Sequence, residues 1–251
     1  MTELAYLASM ESAYERTFKA RVVALPPGGI VLDRTYFYAV GGGQPADRGE
    51  LHGEHGASWK VADVAKVGPA IVHRLGRPRS PTLPRVGDEL EGRIDWTRRY
   101  AHMRSHSAQH LLSARAFAMT GLRTRKATIG AERGTLELEA AWPTRPSLDD
   151  LRADMARHIA AAEPVHIRFV PRAEYDREPG ARSGLVPLAP QIDPVRVIEI
   201  ESADRCPCGG THVRNTSEIG AFDLVNGRPV SDGAYELNFT LGPPATATPT
   251  A

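Results

Sequence analysis

The stretch WTRRYAHMRSHSAQHLLSARAFAM, residues 96–119, divides the sequence into two unlike halves. It holds no proline or glycine, and Gly121 follows as a stop signal, so the pattern predicts one long helix from Trp96 to about Met119. On such a helix His106 and His110 stand four residues apart. That spacing sets both rings on one face, one turn from each other, where two imidazoles can share a metal ion. His102 lies one turn earlier on the same stripe. A metal site seldom takes three ligands from one helix, so His102 reads as an outer partner of the site, an RNA-facing residue or plain surface.

Upstream of the helix the chain reads as β. Short apolar runs recur at Ala20 to Leu25, Ile30 to Leu32, Tyr36 to Val40, Trp59 to Val64, Ile71 to Leu75 and Leu90 to Ile94. Turn signals at residues 26–29, 41–43 and 53–56 separate them. Many short strands with tight turns predict a small barrel. Met1 to Glu15 is read as a short helix or a strand leading in, and the Pro- and Arg-rich segment Gly76 to Pro84 as an extended loop.

Downstream, strands are expected at Thr135 to Ala140, Val165 to Val170, Val195 to Ile200, Ala221 to Val225 and Tyr235 to Leu241. A helix is expected from Leu148 to about Glu163, with Ser147 as N-cap and Asp149 and Asp150 in its first turn. The fold class is therefore α+β: a small N-terminal β-barrel domain over 1–95, then a domain of helices packed on a mostly antiparallel sheet over 96–242. Residues 243–251 form a low-complexity tail expected to be disordered.

Bulk properties narrow the class. Of 251 residues, 41% are hydrophobic and 24% charged, as in a soluble globular protein. No apolar run approaches the ~20 residues that span a bilayer. The N-terminus lacks the basic start and apolar core of a signal peptide, so no membrane partner is expected and a cytoplasmic location is. The net charge of +1 is no footprint for nucleic acid, and any RNA contact must come from a local patch. Of the 31 basic residues, 4 are Lys and 27 are Arg, a ratio that reads as coding bias before it reads as phosphate recognition.

The two cysteines, Cys206 and Cys208, are too close in sequence for an ordinary structural disulfide. Cys208 and His212 again lie four apart, here in CPCGGTH, residues 206–212. The glycines argue for a sharp loop that turns a thiolate and an imidazole toward one ion. With the helix pair they complete a set of four N and S donors, the set that zinc prefers. His106, His110, Cys208 and His212 are the expected ligands of one Zn2+, with Cys206 as the alternative to Cys208.

These motifs resemble those of the alanyl-tRNA synthetase editing domain and its free-standing relatives, the AlaX proteins. RSHSAQHLLSA, residues 104–114, is similar to the family's HxxxH helix. CGGTHVRNTSEIG, residues 208–220, is similar to its second motif, and VRVIEI, residues 195–200, to the preceding strand. GGGQPADRGEL, residues 41–51, resembles the glycine-rich motif of the longer AlaX form. The resemblance spans roughly residues 15–242, poorest near Arg77 to Pro84. It implies a barrel joined to a zinc-bearing editing domain, and hydrolysis of mischarged tRNA(Ala) carrying serine or glycine. With no room for a synthetase activation domain, the editing is expected to act in trans.

The resemblance also implies a pocket. Gln109 is placed to bond water or substrate, unless it faces solvent. Thr128 falls where the family reads the amino-acid side chain, unless it is an ordinary strand residue. Gly209, Gly210 and Thr211 complete the set. The loop Gly41, Gly42, Gly43 and Gln44 is read as a tight turn, as a flexible loop reaching the pocket, or as the GGQ tripeptide of release factors, where nothing else agrees. Arg98, Arg99, Arg104, Arg123, Arg125 and Lys126 are the candidates for tRNA contact. The reading from another class is a non-catalytic tRNA-binding module with a closed structural zinc.

Overall fold

The structure is a computed structural model that describes residues 2–76, 82–177 and 187–243. The chain forms two compact units, Met1–Tyr100 and Ala101–Ala251. Most of the loop expected near Arg77 to Pro84, and the tail expected to be disordered from residue 244 on, lie outside the described residues.

The first unit holds β1 (Glu3–Leu4), helix α1 (Met10–Tyr14), β2 (Thr17–Ala24), β3 (Gly29–Leu32), β4 (Arg34–Thr35), β5 (Gly49–His52), β6 (Ser58–Val67), β7 (Ala70–Leu75) and β8 (Glu89–Ile94). Six of these strands close a barrel in the order β2-β3-β7-β6-β5-β8. Alternation drives the closure. Phe18, Ala20 and Val22 of β2 are buried while Thr17, Lys19 and Arg21 face out, the period of a half-buried strand. On β6 the inward residues Trp59, Val61 and Val64 break that period by one. A register shift between Val61 and Asp63 absorbs the extra residue. Gly92 of β8 leaves room for Phe18, since a Cβ there would come within 2.5 Å of its ring.

The barrel lacks one expected strand and has one that was not expected. Tyr36 to Val40 is no strand, although Phe37, Tyr38 and Ala39 are buried. Its backbone groups find other partners: Tyr38 N–H donates to Asp47 Oδ2 at 2.7 Å and Val40 N–H to the Val64 carbonyl at 3.0 Å. The strand that does close the barrel is β5, whose GELH sequence carries one inward apolar residue, Leu51.

His73 is fully buried on β7. Its Nδ1 lies 3.3 Å from the Ile30 carbonyl and its Nε2 2.8 Å from Thr35 Oγ1. The neutral ring satisfies both, donating to the carbonyl and accepting from the hydroxyl. Burial lowers its pKa from 6.5 to about 4, partly opposed by the Ile30 bond. The unfolded chain binds this proton more readily, so stability is complete above pH 6.5 and lost as pH falls toward 4. The linkage amounts to about 3 kcal/mol. Urea midpoints measured from pH 7 to 4 are expected to fall, and His73→Gln to flatten the slope. An equal slope in the variant would assign the acid sensitivity elsewhere.

Helix α2 (Trp96–Thr120) follows, as expected, and the boundary between the units falls within it, between Tyr100 and Ala101. The second unit continues with β9 (Thr124–Ile129), β10 (Arg133–Leu138), α3 (Leu148–Ala160), β11 (Val165–Val170), α4 (Arg172–Tyr175), β12 (Val195–Ile200), β13 (Asp204–Pro207), β14 (Phe222–Pro229) and β15 (Tyr235–Leu241). They build two antiparallel sheets, β14-β15-β10-β9 and β11-β12-β13. The architecture is α+β with an N-terminal barrel, as the sequence predicts. Ser147 caps α3 in a capping box with Asp150. The helix stops at Ala160, short of the expected Glu163, and Ala162 takes φ +52° as the chain turns away. Among the described residues no helix is long and apolar enough to cross a membrane.

Candidate metal centre

Helix α2 is buried on every side from His102 to Ala114. A helix with no exposed stripe is a core helix, yet this one carries polar residues throughout. Buried polar groups need partners, and Arg104, Ser107 and His110 of α2 find them across the second unit.

His106 and His110 project from α2, one turn apart. Cys208 and His212 come from the loop after β13. Cys208 extends the β12–β13 ladder by one step, its N–H donating to the Arg196 carbonyl at 3.2 Å. The Arg196 guanidinium donates back to the Cys208 carbonyl. One ligand atom from each of the four residues lies within 4.8 Å of every other. Cys208 Sγ stands 3.5 Å from His106 Nε2 and 3.5 Å from His212 Nε2. A tetrahedral zinc with its usual bond lengths sets sulfur and nitrogen ligands about 3.5 Å apart. The donor set of three imidazoles and one thiol fits the ion.

Three of the four donors are held by partners outside the group. Asp204 Oδ2 lies 3.0 Å from His110 Nδ1. Ser107 Oγ lies 3.1 Å from His212 Nδ1 and accepts the Val213 N–H at 3.1 Å. Gly210 N–H donates to Cys208 Sγ at 3.3 Å. Asp204, Ser107 and Arg196 belong to no spacing motif in the sequence. Ser107, inside HSAQH, was the one visible signal, because a buried ligand helix needs polar partners for its ligands.

The electrostatics match the geometry. Burial opposes ionisation of the Cys208 thiol, but the His106 and His110 rings bring its pKa well below the ordinary thiol value. Burial also opposes protonation of His110, yet Cys208 and Asp204 raise its pKa to about 9. Burial lowers His106, and burial and the neighbouring His106 lower His212 well below 6.5. The Cys208 thiol is thus pushed toward the thiolate and the His106 and His212 rings toward the neutral form, the states in which each can act as a metal ligand.

The other expected residues divide. Cys206 is buried on β13 with Sγ 3.8 Å from the Pro207 carbonyl, and stands outside the four-ligand group. Gln109 is buried, which excludes the solvent-facing alternative, and Thr211 and Gly210 are buried beside the ligands in sequence. Gly209 is exposed, and neither Gly209 nor Gly210 takes a positive φ, so the loop turns without the freedom expected of them. Thr128 is exposed on β9 between buried Ala127 and Ile129. In the barrel unit, Gly42 and Gly43 take φ +55° and +83° in a two-residue turn closed by paired bonds between Gly41 and Gln44. This is the tight-turn reading, and Gln44 is buried.

Arg99 and Arg104 are corrected as RNA contacts. Arg99 is fully buried and bonded to Asp47 and to the Ala13 and Tyr36 carbonyls. Arg104 is buried and donates to the Ile219 and Gly242 carbonyls at 2.8 and 2.9 Å. Guanidinium donors spent on carbonyls inside the protein cannot reach a phosphate. Arg98 is half-buried, its Nε on the Ala46 carbonyl at 3.0 Å. Arg123, Arg125 and Lys126 are exposed on or beside β9, Arg125 paired with Glu137.

Comparison with known proteins follows the division of the chain. Residues 195–235 match the family described as the threonyl and alanyl tRNA synthetase second additional domain, and residues 5–98 match class II (A) tRNA synthetases. The chain is 35% identical to an alanine–tRNA ligase of Pyrobaculum calidifontis, over 94% of its own length and 27% of the relative's. It is 36% identical to that of Sulfurisphaera tokodaii over 92% of the chain and 26% of the relative. For Methanothrix thermoacetophila the figures are 35%, 91% and 25%. The chain spans about a quarter of the length of these curated relatives. The resemblance read from RSHSAQH and CGGTH holds: nearly the whole chain is related to one segment of the alanine–tRNA ligases.

Proposed function

We propose that the chain is an aminoacyl-tRNA deacylase that hydrolyses mischarged tRNA(Ala), carrying serine or glycine, at a zinc site formed by His106, His110, Cys208 and His212. The observation that supports this best is the convergence of those four donors from two motifs, the second of which lies in the stretch matched by the threonyl and alanyl tRNA synthetase second additional domain.

The reaction cleaves an aminoacyl ester on the terminal ribose of tRNA, and needs an activated water and a stabilised tetrahedral oxyanion. Zinc, when bound, supplies Lewis acidity toward water and carbonyl. The protein's residues supply the rest. Asp204 and Ser107 hold the His110 and His212 rings with Nε2 inward. Gln109, on the ligand helix, offers an amide to orient water or the substrate amine. Thr128 is the candidate for reading the seryl hydroxyl. Arg98, Arg123, Arg125 and Lys126 are the basic residues left to meet the acceptor end.

A second reading has one observation in its favour. Four protein donors close a tetrahedral zinc, whereas catalytic sites keep a position open, and this suits a non-catalytic tRNA-binding module. The discriminating experiment incubates Ser-tRNA(Ala), Gly-tRNA(Ala) and Ala-tRNA(Ala) with metal-loaded and metal-stripped protein. The deacylase reading expects loss of the seryl or glycyl ester, sparing of the alanyl ester, and little turnover after stripping. Binding of tRNA with all three esters intact would favour the module.

A further inference from the structure

Asp204 and Cys208 reach the same cluster by one device. Along β13 and its one-residue extension, residues 204, 206 and 208 share a face, because side chains alternate along a strand. The register is fixed by Ile200 opposite Asp204, Ile198 opposite Cys206 and the Cys208–Arg196 bond. A single short strand therefore delivers the thiol to the ligand group and a carboxylate to the back of one of its imidazoles. The Asp204 side chain is 0% exposed and that of His110 6% exposed. A carboxylate removed from water to that degree needs a charged or donating partner, and His110 Nδ1 at 3.0 Å is one. His212, by contrast, is backed by the neutral hydroxyl of Ser107.

We infer that Asp204 is a positioning residue of the metal centre: it holds the proton on His110 Nδ1, aims Nε2 at the ion, and sets His110 more firmly than His212. The inference rests on the metal site proposed above. A carboxylate behind a metal-bound imidazole fixes its tautomer and raises its basicity, and losing such a partner costs 10- to 100-fold in metal affinity. A carboxylate stands behind His110 and a neutral hydroxyl behind His212, so of these two rings His212 would be the less firmly held.

The test uses the full chain as wild type, Asp204→Ala, Asp204→Asn and Ser107→Ala, titrated with Co2+ against a chelator of known affinity. The visible ligand-field bands report coordination, and imidazole 15N shifts of the zinc-loaded proteins report which ring nitrogen carries the proton. The expected result is a tetrahedral spectrum for wild type and a 10- to 100-fold weaker affinity for Asp204→Ala. Asp204→Asn should weaken less, since its amide oxygen still accepts from Nδ1, and Ser107→Ala should weaken less than Asp204→Ala. Should Asp204→Ala fail to fold, Asp204→Asn decides by its affinity and by a shifted His110 Nδ1 signal. Wild-type affinity and unchanged His110 shifts in the Asp204 variants overturn the inference while leaving the metal site standing. A wild-type chain that takes up no cobalt or zinc overturns both.

Discussion

Replacing Cys208 with alanine is expected to remove the metal and to slow ester hydrolysis at least about a hundredfold. The size follows from what a metal contributes. Lewis-acid stabilisation of a developing oxyanion supplies several kcal/mol, and each 1.4 kcal/mol is about a factor of ten in rate. Cys208 is the sole sulfur in the group and stands 3.5 Å from two imidazole nitrogens. Its loss leaves three imidazoles, each of which burial disfavours as a cation. Cys206→Ala is the control: the thiol is buried two residues away but stands outside the group. Zinc content by mass spectrometry of the native protein and single-turnover deacylation of Ser-tRNA(Ala) are the measurements. The pair of readings separates the alternatives. Zinc lost with hydrolysis kept would make the metal structural, and zinc retained at wild-type affinity would remove Cys208 from the ligand set.

The elements legible in the sequence are those with a local cause. Helix α2 shows itself by the lack of proline and glycine and by His106 and His110 at one-turn spacing. The Ser147 cap is local, and so is the alternation of β2. The four donors that the structure brings together were legible because each pair is a short motif whose chemistry needs just those residue types. What stayed hidden depends on partners remote in sequence. β5 has one inward apolar residue, and β13 consists of Asp204, Arg205, Cys206 and Pro207. Neither carries a pattern, and both exist because a neighbouring strand offers its ladder. Tyr36 to Val40 has the composition of a strand, yet Asp47 takes the Tyr38 N–H that a strand neighbour would have used. Arg99 and Arg104 read as surface cations because charge is a local property of sequence, while the carbonyls that swallow them lie 63 to 138 residues away. Asp204 is hidden for the same reason, since only the strand register shows that it shares a face with Cys208.

The buried pair of Arg99 and Asp47 carries the largest expected effect on stability. Both side chains are fully buried. Arg99 Nε donates to Asp47 Oδ2 at 2.7 Å and Nη1 to the Ala13 carbonyl at 2.7 Å, with further bonds from Nη2 to Asp47 and to the Tyr36 carbonyl. Asp47 Oδ2 also receives the Tyr38 N–H. One guanidinium thus ties together the end of α1, the irregular segment at Tyr36 to Val40 and the chain entering β5. Removing one member strands the other charge away from water, and the usual cost is about 3–5 kcal/mol. Asp47→Ala and Arg99→Ala should each cost about that much, read as a lowered urea midpoint. Replacing both by apolar residues of similar volume, Arg99→Met with Asp47→Leu, should cost less than the sum of the single changes, because no charge is left unpaired. Three carbonyls or N–H groups would still lose partners in the double variant, so its stability should stay below wild type. Additive costs in this cycle, or a loss under about 1 kcal/mol for Arg99→Ala, would mean that the pair is not the clamp its geometry describes.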